Sequence, residues 1–412
     1  MTELHRPGLP RVLTDLGAII DSLGTPFYAY HWPTLHQAAE SMIAAAENAG
    51  LRDHLKLYPA IFALPNFSII RRLLALDGRI GVTCNTIEEV RALRDIGFSD
   101  WTRVVFSGGV LNGPDLLEVS ATGMIVNASS TGNLERLAAS PSPSRIGLRL
   151  DLYNDALKGL REPEIAGCLN LLNKHGKRVE ALHSYRGTQV ASVNALLRHA
   201  ELLLEIAYDL TDVQEVNLGG GFHYDYESRT GHPLSRIDFD DYFHAVREYA
   251  HGGRRRFNGS IAWEPGRVLF AGCGFFIAEV IEIRRTGIAT ADYYLDASFS
   301  QMPSPKLLGR QHHALIVSPE GEVRREQPLE VRLCGTTTLS TDRLLPGTLF
   351  LASAQAGDRL VVLDAGAYGR AGAYSFLGKA LPPEVLMTED GWTMIRRRGQ
   401  TEYLSDGCEE KC

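Results

Sequence analysis

Glu215-Val216-Asn217-Leu218-Gly219-Gly220-Gly221-Phe222 is the stretch whose reading decides the fold. A short apolar strand runs directly into three glycines, and glycines at a strand's C-terminal end let backbone N–H groups close on an anion. Taken alone, the triplet reads more simply as a tight turn. Its neighbours give it weight. Ile80 to Cys84, Val104 to Phe106, Met124 to Val126, Arg145 to Arg149 and Val179 to Ser184 have strand character, and an apolar run extends from Leu55 to Ala63. Apolar residues at helical spacing fill 33–49, 67–76, 86–96 and 190–208. Strand and helix alternate at this rhythm over roughly 230 residues, which predicts parallel βα units. Their number fits a (β/α)8 barrel of the TIM type better than an open sheet, and no G-x-G-x-x-G opens the first helix. At the C-terminal face of such a barrel a glycine triplet is a common phosphate site.

The texture changes after about residue 270. Phe276 to Ile283, Tyr293 to Leu295, Ala314 to Val317, Leu329 to Leu333, Arg359 to Leu363 and Trp392 to Arg396 are short strands with Gly and Pro between them. This predicts an all-β domain. The aromatic strand at 25–31 precedes the first helix and can join it. The expected organisation is 1–32 with the β domain, 33–270 as barrel, 271–400 as β domain, and 401–412 as a polar tail.

The chain has 412 residues, 44% hydrophobic and 22% charged, with a net charge of −7. That balance gives no reason to expect nucleic acid or an acidic membrane as partner. No apolar run is long enough to span a bilayer, and the start Met1-Thr2-Glu3-Leu4-His5-Arg6-Pro7 lacks the apolar core of a signal peptide, so the expected location is the cytoplasm. The six cysteines (84, 168, 273, 334, 408, 412) form no CxxC pairs at zinc spacing, and no metal site is expected.

Other strand ends carry candidate chemistry. Glu264-Pro265-Gly266-Arg267 follows the apolar Ser260-Ile261-Ala262-Trp263 and can aim an acid and a base into one pocket; a surface turn with a loose ion pair explains it equally well. A carboxylate beside a pyridine nitrogen would keep that nitrogen protonated. His183-Ser184-Tyr185-Arg186-Gly187-Thr188-Gln189 ends another strand, and Gly335-Thr336-Thr337-Thr338-Leu339-Ser340-Thr341-Asp342 and Asp364-Ala365-Gly366-Ala367-Tyr368-Gly369 punctuate the β region. Each is weak alone.

In order and spacing these motifs, together with Thr25-Pro26-Phe27-Tyr28 and Gly357-Asp358-Arg359-Leu360-Val361-Val362, resemble the fold-type III pyridoxal-phosphate decarboxylases, the family of ornithine, diaminopimelate and carboxynorspermidine decarboxylases. The resemblance runs from about Thr25 to Arg397 and implies a barrel plus C-terminal β domain like that of alanine racemase and ornithine decarboxylase. It implies that Gly219, Gly220 and Gly221 hold the cofactor phosphate through N–H groups, helped by Arg267, Tyr368 and Thr188. It further implies that Glu264 pairs with the pyridine nitrogen, and that Asp296 and Asp342 grip a substrate's distal amine. Asp342 would do so across a homodimer with shared active sites. The expected cofactor is pyridoxal 5'-phosphate and the expected substrate a small amino acid or amine.

The departures cluster around the reacting aldehyde. Within Pro59-Ala60-Ile61-Phe62-Ala63-Leu64-Pro65-Asn66, Phe62 aligns with the lysine that forms a Schiff base in the family. The acid on the next strand appears as Val82, the catalytic loop cysteine as Thr338, the acid after it as Leu339, and the ring-stacking histidine as Tyr185, which can still stack. Lys56 lies six residues before Phe62, about 20 Å along a strand. Lys158 and Lys379 fall in loops. Tyr185, Thr338 and Asp342 remain as candidate catalytic groups. Three readings follow. The first is a decarboxylase-like enzyme that holds its cofactor non-covalently. The second is a non-catalytic homologue pairing with an active decarboxylase, and the third is a pocket with an apolar floor at Phe62 and Val82 turned to another phosphorylated ligand.

Overall fold

The computed structural model describes residues 5–400 apart from 142–144, 154–158, 229–234 and 236. The chain divides into two compact units, one from the described residues of 38–224 and 235–268, the other from those of 1–37, 225–234 and 269–400.

The first unit is the barrel that the alternation predicts. Eight parallel strands run in the order Leu55–Leu57, Ser260–Trp263, Glu215–Asn217, Ala181–Ser184, Arg145–Leu150, Ile125–Ala128, Val104–Phe106 and Val82–Cys84. Bridges Leu57↔Ile80 and Ala60↔Thr83 join the two ends and close the sheet. Side chains on the helix starts explain why the breaks fall where they do. Asn66, Thr86, Asn112, Ser130, Ser192 and Asp238 each accept from a backbone N–H of the first helical turn, and Thr86 completes a capping box with Glu89.

Register fixes which residues face the barrel interior. Tyr58, Val105, Ile125, Ala181 and Ala262 form an interior cluster. Residues two positions further along share that face, so Ala60, Thr83, Ser107, Asn127, His183 and Glu264 belong to the next layer. The upper layer is therefore mostly polar. Gly81 makes the lower layer possible, since a Cβ there would lie 2.0 Å from Arg103 O and 2.8 Å from the Tyr58 ring. Tyr58 Oη donates to Glu215 Oε2 at 2.9 Å inside the barrel.

The second unit is built on a nine-stranded sheet. Phe27–His31 lies between Gly274–Arg285, antiparallel, and Glu384–Thr388, parallel. One face carries a helix, Leu9–Leu23, that the sequence reading above does not contain. Its Leu9, Val12, Leu16 and Ile19 pack with Phe27, Ala29, Phe275, Ile277, Val361, Val385 and Met387. Strands Leu349–Leu351 and Glu384–Thr388 are likewise additions. Arg6 is buried and makes a bidentate pair with Asp364, Nε to Oδ1 at 2.7 Å and Nη2 to Oδ2 at 2.6 Å, while also donating to Ser228 O. Among the described residues no helix is long and apolar enough to cross a membrane. Cys84, Cys168, Cys273 and Cys334 are buried free thiols; Cys408 and Cys412 lie outside the described residues.

Breaking the Arg6 pair leaves a buried carboxylate uncompensated, so Arg6→Met should lower unfolding free energy by about 3–5 kcal/mol in urea titrations. Glu215 yields a pH signature. Burial raises its carboxyl to about 7, against the opposing Tyr58 hydrogen bond and the charges of Arg145 and Lys56. The native state then holds a proton that the unfolded chain has already released, so stability falls as pH rises from the ordinary glutamate range through 7. Glu215→Gln should be more stable than the wild type by about 2–3 kcal/mol at pH 8. The gap should nearly vanish at pH 4; an equal gap at both values would remove this assignment.

Candidate active site

The upper layer of the barrel converges on Glu264, the residue after the Ser260–Trp263 strand. Its Oε1 accepts from Asn217 Nδ2 at 2.9 Å and Ser107 Oγ at 3.2 Å. Ser107 Oγ in turn accepts from Asn127 Nδ2 at 3.0 Å, and Arg149 Nη1 donates to Ser107 O at 2.6 Å. His183 Nε2 lies 3.5 Å from the same Oε1, too long for a well-formed hydrogen bond, so that contact is electrostatic. Among the described residues no such donor reaches Glu264 Oε2, and the side chain keeps 12% of its surface open.

Charge states follow from these contacts. Burial pushes the Glu264 carboxyl up, but His183, Arg149 and the Asn217 bond outweigh it and hold the group below the usual range, so it is ionised at neutral pH. Burial lowers His183 below the ordinary histidine range, against the pull of Glu264. Arg149 is the second cationic group facing the carboxylate; burial lowers it, against the pull of Glu264 and Tyr185. His199 is a packing histidine, pushed down to about 4 by burial and held between Tyr153 Oη and Ser184 O.

The glycine triplet packs against the backbone of Glu264, whose N–H donates to Gly219 O at 2.8 Å. A Cβ on Gly220 would sit 2.0 Å from Glu264 O, and one on Gly221 would sit 1.8 Å from Gly187 O. Gly219 and Gly221 have φ of 66° and 85°. The loop thus exists only as glycine. The Tyr185 ring is its other wall, 3.2–3.3 Å from the Cβ positions of Gly221 and Gly219, and Tyr185 Oη pairs with Thr188 Oγ1 at 2.8 Å. Arg267, at the head of the next helical turn, is 8% exposed. So the barrel brings together Gly219–Gly221, Glu264, Tyr185 and Thr188, with Arg267 three residues beyond the carboxylate. One expectation needs correction. Gly219 N already donates to Asn217 Oδ1 at 2.9 Å, leaving Gly220 and Gly221 as the triplet's N–H donors for a ligand.

The aldehyde-end positions sit as follows. Phe62 lies in the 3-10 turn Ile61–Ala63, past the last bridging residue Ala60, and is 42% exposed. Val82 does not line the interior. The bridge Ala60↔Thr83 and the pairing Thr83↔Val105 put Thr83 on that face, so the floor there is a hydroxyl rather than an apolar surface. Lys56, paired with Ala262, lies low in the barrel and contributes to the environment of Glu215. Lys158 lies outside the described residues.

In the second unit the two aspartates have internal partners. Asp342 is 1% exposed and accepts from Phe299 N, Ser298 Oγ, Thr337 N and Thr337 Oγ1. The loop Gly335–Asp342 wraps around that carboxylate, which is turned into its own loop rather than presented outward, while Thr338 and Leu339 are exposed. Asp296 accepts from Thr25 Oγ1 at 2.5 Å and Glu279 N at 2.8 Å; burial raises its carboxyl. Tyr368 is half-buried with a left-handed φ of 64°, four residues after Asp364. Lys379 is half-buried in a turn of this unit. Asn217, Ser107, Asn127 and Arg149 are site residues that the motif reading missed; their signal is their place one step inside a strand end, visible only once register is known.

Do the residues fit a phosphorylated pyridine? A glycine loop that any Cβ would fill, an ionised carboxylate with one oxygen open, and an aromatic wall beside the loop are the donor set such a ligand needs. Comparison with known proteins agrees. A family model described as "Pyridoxal-dependent decarboxylase, C-terminal sheet domain" matches residues 27–366. Diaminopimelate decarboxylase of Escherichia coli K12 is 24% identical over 383 residues, covering 84% of this chain and 89% of the relative. That of Deinococcus radiodurans is 25% identical, covering 91% and 93%. The solved diaminopimelate decarboxylase of M. jannaschii in complex with L-lysine has a TM-score of 0.84 at 19% identity, covering 96% and 94%, which speaks to the fold.

Gly220→Ala drives a methyl group into the Glu264 backbone carbonyl and should shift the main chain that carries the carboxylate. The expected result is a loss of phosphate-ligand binding with a fall in melting temperature of several degrees. Gly132→Ala, in the helix Thr131–Ala139 with its Cβ 3.8 Å from Arg136 Nη2, should leave binding unchanged without lowering the melting temperature and serves as control.

Proposed function

The chain belongs to the pyridoxal-dependent decarboxylases, and from that premise we propose that it holds pyridoxal phosphate without a covalent lysine bond and acts at the α-carbon of an amino acid, by decarboxylation. The observation that carries the reading is the posture of Glu264. One oxygen is pinned by Asn217 and Ser107, the other has no donor among the described residues, and the group is ionised. When bound, the cofactor supplies an electron-accepting ring for bond cleavage at the α-carbon. Glu264 Oε2 would hold a proton at the ring nitrogen. Gly220 and Gly221 N–H, with Arg267 and Thr188, would bind the phosphate, and Tyr185 would lie along the ring and exclude water from that face. Asp296 and Asp342 are already satisfied within the chain, so a part for either in holding a substrate amine requires exchange of those bonds.

Exposed Phe62, Thr338 and Leu339, in place of an amine, a thiol and an acid, favour a second reading, a homologue that binds the cofactor and has no turnover.

Borohydride treatment of protein mixed with pyridoxal phosphate, followed by peptide mass spectrometry, separates these ideas. The expected wild-type result is saturable binding with no lysine adduct, and Phe62→Lys should yield an adduct at position 62. A wild-type adduct at any lysine of the site would overturn the lysine-free reading. Release of carbon dioxide from an amino-acid panel distinguishes the enzyme from the silent homologue, and absence of binding sinks both.

A further inference from the structure

Asn217 is the residue that joins the two halves of the site. It sits at the end of the Glu215–Asn217 strand, buried, with both ends of its amide used. Oδ1 accepts from Gly219 N at 2.9 Å and Nδ2 donates to Glu264 Oε1 at 2.9 Å. The orientation has no alternative. A backbone N–H can only donate, so the carbonyl end must face Gly219 and the NH2 end must face Glu264. An NH2 group aimed at a carboxyl oxygen requires that oxygen to accept, which favours the ionised form. The same bond spends the Gly219 N–H, so the triplet's remaining amides are those of Gly220 and Gly221.

We propose that Asn217 is a positioning residue: its amide locks the Glu264 side chain to the first glycine of the triplet, so that Glu264 Oε2 and the Gly220 and Gly221 N–H groups address the two ends of a single ligand. This rests on the reading of the barrel mouth as a pyridoxal phosphate site. Ser107 and Asn127 hold Glu264 from the opposite side, through strands remote from the triplet, so they fix the carboxylate without setting its distance from the phosphate loop. The backbone bond from Glu264 N to Gly219 O at 2.8 Å fixes the spacing of the two main chains; among the described residues Asn217 is the side chain that bonds both the triplet and the Glu264 carboxylate, and so sets where that carboxylate points.

The test uses ligand-free full-length protein labelled with 13C at the glutamate carboxyls, the Glu264 signal being assigned by its loss in Glu264→Gln. In wild type that signal should titrate below the ordinary glutamate range. Asn217→Asp keeps size and the acceptor for Gly219 N but sets a second carboxyl against Glu264; two such groups cannot both ionise easily, and the pair should titrate in two steps with the upper one raised by roughly one to three pH units. Asn217→Ser, which removes the donor without adding charge, should raise Glu264 by less, and it keeps the question answerable if the aspartate variant folds poorly. The ratio of pyridoxal phosphate affinities of wild type and Asn217→Asp should change across the upper step, the ligand's own ionisation cancelling in the ratio, while the corresponding ratio for inorganic phosphate changes little. A Glu264 titration unmoved in both variants overturns the proposal. Failure of wild type to bind pyridoxal phosphate sinks the functional reading instead, and the ligand-free titration still decides the role of Asn217.

Discussion

The 2.9 Å hydrogen bond from Asn217 Nδ2 to Glu264 Oε1 joins the ends of two neighbouring strands inside the barrel, and the geometry of the mouth hangs on it. A carboxylate withdrawn from water costs several kcal/mol unless donors replace its hydration. Here they come from separate strand ends: Ser107 follows Val104–Phe106, and Asn217 ends Glu215–Asn217. That arrangement works only in one register. A slip of one residue in either strand would turn its donor outward among the helices and leave the charge stranded. The polar layer thus specifies how the barrel closes, while the apolar layer beneath it, Tyr58, Val105, Ile125, Ala181 and Ala262, supplies adhesion without direction.

Carboxylates organise the second unit as well, by a different device. Asp342 gathers backbone and hydroxyl donors from Phe299, Ser298 and Thr337, turning an irregular loop into a fixed one. Asp364 sits at a φ of 60° and is held there by Arg6. Asp296 ties Thr25 to Glu279 N. A buried acid surrounded by N–H groups is a scaffold for a loop before it is a ligand for anything else.

Much of this was legible in the sequence. Strand and helix alternation gave the barrel because each unit has a periodic apolar face, and the glycine triplet and Glu264-Pro265-Gly266-Arg267 were found because glycine and proline mark unusual backbone. What escaped did so for physical reasons. The Leu9–Leu23 helix has regular spacing at Leu9, Val12, Leu16 and Ile19, but it lies beside two prolines ahead of the first strand, where a leading segment reads as irregular. Val82 and Thr83 are adjacent, and only register says which faces inward. Ser107, Asn127 and Asn217 are short polar residues at strand ends, indistinguishable in sequence from helix caps. Whether an aspartate such as Asp342 is open to a ligand depends on backbone donors that sequence does not display.

The Arg6–Asp364 pair spans 358 positions. The barrel comes from nearly continuous chain, so it can complete while synthesis is still under way. The other unit cannot, because the Phe27–His31 strand waits for partners at Gly274–Arg285 and Glu384–Thr388. At about 5–20 residues per second the interval is roughly tens of seconds. Through it the apolar face of Leu9–Leu23 lacks the strands Gly274–Arg285 and Glu384–Thr388 that cover it, which makes this segment a natural client for chaperones. Residues made before the barrel are among the last to reach their places, and a ribosome that stalls late would release a finished barrel trailing an unfinished sheet.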